Sequence, residues 1–320
     1  MTASSTDSGV RPTLGAADLV SATPQLAEVA TVSSTTLLRL PGASLTMTHL
    51  RDVLDWAQQS VDDGHDGVVL VQGTDTIEET SYFFDLHWDR RQPLIVTGAM
   101  RQPEAPSSDG PANLVSAVLV AADDASRGRG VLVVLNDQVH AASRVRKARA
   151  SGVNAFESPS FGPLAYIEEN RVVFGNTIDR MPPLPSPGPA GAAQVALLGA
   201  SLGDRGELLQ LAMDAEFDGA VIEGFGVGHV SEAFADVIAE AAKSRPIVLC
   251  SRTGSGTTFE KTYGFNGSES DLLARGAIGA GWLDGRKARI LLCCLLAYGY
   301  GINSIRDEFR KRGQPFGGQG

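Results

Sequence analysis

Apolar and polar positions divide the chain into short, unbroken apolar runs and longer stretches with helical spacing. Positions 67–71 (Gly-Val-Val-Leu-Val), 94–96 and 131–135 are runs of strand length, rich in β-branched residues, with no polar interruption. That is the pattern of strands buried on both faces. Between them, Leu50, Val53, Leu54, Ala57 and Val61 recur at helical spacing behind Thr48, which predicts an amphipathic helix over 48–61 capped by that threonine. A second helix is predicted from Asp109-Gly110-Pro111 through Leu114, Val115, Val118 and Leu119, because proline is tolerated in a first turn where no N–H is needed. Strand and helix in alternation predict an α/β fold, with a mostly parallel, doubly wound sheet in the larger N-terminal domain. Its ligand cleft is then expected at the carboxyl ends of the strands.

The pattern breaks over 180–191, where five prolines remove backbone donors and fix φ, so neither helix nor sheet can continue. A linker over 181–193 is predicted, separating an N-terminal domain, 1–180, from a smaller C-terminal α/β domain, 194–320. In the latter, apolar runs at 195–198, 219–222 and 247–250 alternate with helical stretches at 207–215, 231–242 and 286–297.

Composition narrows the function classes. Lys and Arg number 27 against 37 Asp and Glu, and this net charge of −10 argues against a nucleic-acid partner. No apolar run approaches the roughly 20 residues of a membrane-spanning helix, so no membrane role is expected. Cys250, Cys293 and Cys294 are too few for a disulfide framework, and the first twenty residues lack a basic and apolar leader. A cytoplasmic location is the expectation. The five histidines and three cysteines show no ligand spacing, and no metal or cofactor is expected.

Candidate chemistry gathers after the predicted strands. The first ends in Gln72-Gly73-Thr74-Asp75-Thr76-Ile77-Glu78-Glu79-Thr80, delivering hydroxyls and a carboxylate to the sheet edge. The segment also reads as a helix start, with Thr76 and Glu79 as a capping box. Lys147 sits in the basic stretch 144–149, where a solvated charge is the simpler reading; beside Asp75 and a threonine it could take the hydroxyl proton. Gly98 fits a turn or a close backbone approach to a ligand, and Gly224-Phe225-Gly226-Val227-Gly228-His229 a tight turn.

Four ordered stretches, Gln72 to Thr80, Val96-Thr97-Gly98-Ala99-Met100-Arg101, Asp109-Gly110-Pro111-Ala112-Asn113, and 130–137 ending in Asn136-Asp137, together resemble the bacterial-type L-asparaginase family. Phe161-Gly162-Pro163-Leu164 and Lys287-Ala288-Arg289 carry the resemblance into both domains, over about 18–297. The resemblance implies an amidohydrolase of asparagine catabolism, converting L-asparagine, sometimes L-glutamine, to the acid and ammonia without metal or organic cofactor, as a homotetramer built from two intimate dimers. By position it implies Thr74, Asp75 and Lys147 as catalytic residues. Ser44 matches the group holding the substrate α-carboxylate, Gly73 and Ala99 match backbone positions lining the pocket, and Asp75 would also hold the α-ammonium. Glu269 matches the glutamate that a neighbouring subunit lends to that ammonium. Such a set suits a small zwitterion, with carboxylates at its ammonium and neutral donors at its carboxylate.

The chain also departs from the family pattern. Members begin with a strand ending in Thr-Gly-Gly-Thr-Ile, whose first threonine is the usual nucleophile, and the motif spacing puts that strand ahead of residue 1. Thr2, Ser4, Ser5 and Thr6 align with the loop after it, Leu45 replaces a polar pocket residue, and Val227 replaces an asparagine. An amino-acid binder with impaired catalysis is the alternative these departures leave.

Overall fold

The computed structural model describes residues 2–3, 10–185 and 193–315. Two compact units divide the chain, Met1–Pro183 and Leu184–Gly320. The first contains β1 (Thr2–Ala3), β2 (Val10–Arg11), α1 (Ala16–Ser21), α2 (Met47–Asp62), β3 (Val68–Val71), α3 (Ile77–His87), β4 (Leu94–Thr97), α4 (Gly110–Ala122), β5 (Val131–Leu135), β6 (Gln138–Ala141), β7 (Arg146–Lys147), β8 (Phe156–Glu157), β9 (Ala165–Glu168) and β10 (Arg171–Phe174). The second contains β11 (Val195–Gly199), α5 (Glu207–Asp214), β12 (Gly219–Gly224), α6 (Glu232–Ala241), β13 (Ile247–Ser251), α7 (Glu269–Ala274), β14 (Ile278–Gly279), α8 (Gly285–Ala297) and α9 (Ile302–Arg312). Ser4, Ser5, Thr6 and linker positions 186–192 lie outside the described residues.

The main sheet of the first unit runs β10-β9-β6-β5-β4-β3. Strands β3, β4 and β5 are parallel, as the strand–helix alternation requires, whereas β6, β9 and β10 join antiparallel, so the sheet is mixed. The reversal has a local cause: Asn136 and Asp137 both take positive φ, 52° and 56°, the geometry of a two-residue hairpin that matches strand twist. Glu169 and Asn170 repeat it between β9 and β10. Every residue of β4 and β5 is buried. Ile95, Leu132 and Val134 pack with Ala117 and Val120 of α4, while their buried alternates Leu94, Val96, Val131 and Val133 face the other side, where α3 packs.

Helix α2 starts at Met47, and its cap is Thr46, whose hydroxyl accepts from the His49 N–H at 3.3 Å; Thr48 already lies in the first turn. The anticipated Thr76–Glu79 capping box does not form, because Thr76 Oγ1 instead donates to the Gly42 carbonyl at 3.2 Å. The second unit is a parallel sheet in the order β11-β12-β13-β14. Leu209 of α5 and Phe234, Ala235 and Ile238 of α6 pack against Ala220, Ile222 and Leu249, while α8 packs on β11, β12 and β13. Cys250, Cys293 and Cys294 are buried free thiols. Helix α9 is additional to the elements expected from the pattern; only Ile305 and Phe309 of this charged segment are buried, too thin a stripe to stand out in sequence.

One buried titratable group sits in the first sheet. His140 on β6 shares a 2.9 Å hydrogen bond between Nδ1 and Ser158 Oγ, and burial pushes its imidazole down from 6.5 to about 4. The unfolded chain therefore takes up this proton below 6.5 while the folded chain does not until about 4. The stability at stake is fully present above 6.5 and falls as pH drops towards 4, by up to about 1.4 kcal/mol per pH unit. Denaturant titrations at several pH values are expected to show this loss reduced in His140→Asn; the same pH dependence in both proteins would contradict the assignment.

Candidate active site

The Thr74-Asp75-Thr76 segment is a single 3-10 turn between the end of β3 and the start of α3. It sits at the carboxyl end of a parallel strand, and its carboxylate lies at a helix N-terminus, where negative charge is favoured. Thr74 is buried, at 6% exposure, whereas the Asp75 side chain is 64% exposed. The bare turn thus offers a shielded hydroxyl beside an open carboxylate.

Lys147 arrives from far along the chain. Its strand β7 pairs antiparallel with β8, Lys147 opposite Phe156. The Lys147 N–H also donates to Glu78 Oε2 at 3.0 Å, and Glu78 is a buried carboxylate in the first turn of α3. The lysine backbone is therefore tied to the helix that carries the Asp75 turn. The result is close geometry: Lys147 Nζ lies 3.0 Å from Thr74 Oγ1 and 3.0 Å from Asp75 Oδ1. An ammonium there donates to both oxygens; once neutral, the same nitrogen can accept the threonine proton.

A third segment is held against this turn. Gly42–Ser44 form a 3-10 turn, and a Cβ built on Gly42 would come within 3.0 Å of the Gly73 carbonyl oxygen. A hydrogen-bond chain fixes the approach. Thr80 Oγ1 donates to Gln72 Oε1 at 2.9 Å, Gln72 Nε2 donates to the Gly73 carbonyl at 3.2 Å and to Thr76 Oγ1 at 3.4 Å, and Thr76 Oγ1 donates to the Gly42 carbonyl. Ser44 is exposed at the end of its turn, available to a ligand.

The turn after β4 completes the group. A Cβ on Gly98 would meet the Gln72 carbonyl oxygen at 2.5 Å and Thr74 Cγ2 at 3.3 Å, so glycine here serves a close approach to protein backbone rather than to a ligand. Ala99, half-buried, follows directly. The structure thus gathers Thr74, Asp75 and Lys147, with the turns bearing Ser44, Gly73 and Ala99 around them. Gln72, Thr76, Thr80 and Glu78 support this group without having been singled out for that role in the sequence. Gln72 and Thr80 stand eight apart, a spacing that signals nothing until a strand and a helix fold beside each other.

Glu269 lies in the second unit at the start of α7, fully buried. Its Oε1 accepts from the Thr262 and Tyr263 N–H groups, each at 2.8 Å, and its Oε2 lies 3.1 Å from His229 Nε2. Burial alone would raise its pKa; the backbone N–H groups of Tyr263, Glu269 itself and Thr262, with His229, outweigh that and hold the carboxyl below its usual 4.5.

Residues 1–180 match the family model described as "Asparaginase, N-terminal", and residues 194–309 match "Glutaminase/Asparaginase C-terminal domain". The chain is 34% identical over 303 residues to "L-asparaginase 2" of Escherichia coli, covering 93% of this chain and 85% of that one. It is 32% identical over 297 residues to "L-asparaginase" of Bacillus licheniformis, covering 89% and 90%. The solved "Probable Cytoplasmic L-asparaginase from Campylobacter jejuni" superposes with a TM-score of 0.84 at 30% identity, covering 91% of this chain and 92% of that chain.

The Glu269 geometry carries a test. A carboxyl whose folded pKa is depressed contributes stability above its unfolded value, and that contribution is lost as pH falls through the folded value. Glu269→Gln is expected to cost about 1 kcal/mol near pH 7. The gap from the parent should narrow as pH falls below 4.5 and close only once the lowered folded value is passed. A gap unchanged by acid in denaturation experiments would contradict the ionised, hydrogen-bonded carboxylate.

Proposed function

The chain belongs to the asparaginase family, and we propose that it hydrolyses the side-chain amide of L-asparagine to L-aspartate and ammonia. The observation that carries this reading is the lysine nitrogen 3.0 Å from both the Thr74 hydroxyl and the Asp75 carboxylate. In the proposed mechanism Ser44 binds the substrate α-carboxylate and the open Asp75 carboxylate takes the α-ammonium. Gly73 and Ala99 line the pocket with backbone groups, and the reacting amide lies over Thr74. Neutral Lys147 takes the proton of Thr74, Thr74 takes that of the attacking oxygen, and Lys147 returns a proton to the departing nitrogen. Water is consumed and ammonia released, with no net change in the relay. Asp75 keeps the amine in place while the proton moves.

The proposal extends to assembly and place. A homotetramer of two intimate dimers is proposed, with Glu269 lending its charge to the ammonium site of the neighbouring subunit, where it would complete a carboxylate pair. A cytoplasmic location is supported by three buried free thiols, the chemistry of a reducing compartment.

Ammonia release from L-asparagine tests the reading. The parent chain should produce ammonia and aspartate in equal amounts. Lys147→Met and Thr74→Val should each lose about 10²- to 10⁴-fold in kcat, the usual contribution of positioned proton transfer. Circular dichroism should remain that of the parent, because a pair this exposed adds at most about 1 kcal/mol to stability. Folded variants within twofold of the parent, or a parent that releases no ammonia, would overturn it.

A further inference from the structure

The turn bearing Ser44 and the turn bearing Thr74 meet through glycines, and their approach is limited from both directions. Gly42 is buried, and a Cβ on it would stand 3.0 Å from the Gly73 carbonyl oxygen and 3.3 Å from Thr76 Oγ1. A Cβ on Gly73 would stand 3.4 Å from the Gly42 nitrogen. The two backbones are already in contact, so the turns cannot draw closer.

Thr76 keeps them from parting. It occupies the N-cap position of α3 without making a capping bond, and its hydroxyl donates to the Gly42 carbonyl at 3.2 Å instead. That carbonyl also accepts from the Leu45 N–H at 3.1 Å, closing the turn that ends in Ser44. One oxygen therefore closes the Ser44 turn and ties it to the Thr74 turn.

The tie is anchored in the buried sheet. The Gln72 N–H donates to the Thr97 carbonyl of β4 at 3.0 Å, which fixes its backbone. Its side-chain oxygen accepts from buried Thr80 at 2.9 Å, so the amide presents its nitrogen to Thr76 Oγ1, at 3.4 Å, and the Thr76 proton is left for Gly42. On the other side, residues 31–41 are exposed and belong to no helix or strand. The Ser44 turn is therefore located by α2 behind it and by this tie.

We propose that Thr76, set by Gln72 and Thr80, is a positioning residue that determines specificity: its bond to Gly42 fixes the span between Ser44 and Thr74 and restricts the site to an amide of asparagine's length. The inference rests on the asparaginase reading, in which Ser44 holds the α-carboxylate and the amide lies over Thr74. Between those ends L-glutamine carries one more methylene, an added carbon–carbon bond of about 1.5 Å. A span that cannot widen leaves that carbon without room, whereas a span freed of its tie accepts it. A residue that merely supports the fold would weaken both lengths alike.

The experiment compares kcat/KM for L-asparagine and L-glutamine in the full chain, with calorimetric titration of L-aspartate and L-glutamate. The parent should favour the shorter member of each pair by about 10- to 200-fold, the usual discrimination for one methylene. Thr76→Val removes the hydroxyl at nearly constant volume, and Gly42→Ala adds a methyl group that presses the turns apart. Each is expected to lower both ratios by at least about fivefold, while Thr76→Ser, which keeps the hydroxyl, holds the parental ratios. Gly42→Ala keeps the test in force if Thr76→Val fails to fold. Folded Thr76→Val or Gly42→Ala with parental ratios, or a parent that treats both lengths alike, would overturn this inference while leaving asparagine hydrolysis as it stands. A parent chain that neither hydrolyses asparagine nor binds aspartate would overturn the reading of the site and this inference with it.

Discussion

The lysine bridge between Thr74 and Asp75 is the constraint on which the rest depends. It joins positions more than seventy residues apart, at 3.0 Å to each partner, across the carboxyl ends of the first sheet. Its worth to folding is small: the Lys147 side chain is 16% exposed and Asp75 64%, and ion pairs this open to water contribute about 0–1 kcal/mol. Stability therefore does not account for the trouble taken to hold it. Glu78 fixes the lysine backbone, and Thr80, Gln72 and Thr76 fix the turns on either side. This much buried hydrogen bonding around a weak ion pair fits a site that must keep its geometry while a proton moves.

The same logic accounts for where polar residues are buried in an otherwise apolar unit. Strands β4 and β5 are wholly buried, so they are rigid supports, and the turns leaving their carboxyl ends inherit that rigidity. Buried Thr74, Glu78 and Thr80 follow the end of β3, Asn113 lies on α4 after β4, and all four are hydrogen-bonded. Each would cost stability if left unpaired, and each is paired through a segment that builds the pocket. Glu269 in the second unit repeats the principle, a buried carboxylate kept ionised by backbone N–H groups and His229.

The buried parallel strands and most helices are legible in the sequence because their periodicity is strong: 68–71, 94–97 and 131–135 fall where apolar runs stand, as do 195–199, 219–224 and 247–251. What escaped is local or long-range in character. The Asn136-Asp137 hairpin that turns the sheet antiparallel rests on two positive φ angles that an apolar pattern does not reveal. Helix α9 buries two side chains, too few to rise above its charges. Thr76 looked like a helix cap because capping is the usual fate of a threonine before an acidic turn; only the folded approach of Gly42 gives its hydroxyl another partner. The catalytic candidates themselves were visible through family-like motifs, whereas the roles of Gln72, Thr80, Glu78 and Asn113 depend on contacts that no spacing encodes.

A crystal structure of the protein with L-aspartate bound tests the central claim most directly. The account predicts the α-carboxylate on Ser44, the α-ammonium on Asp75, and the side-chain carboxylate within hydrogen-bond distance of Thr74 Oγ1, with the Lys147 nitrogen still bridging Thr74 and Asp75. Aspartate bound away from this turn, or a Lys147 nitrogen withdrawn from Thr74 in the occupied site, would contradict it.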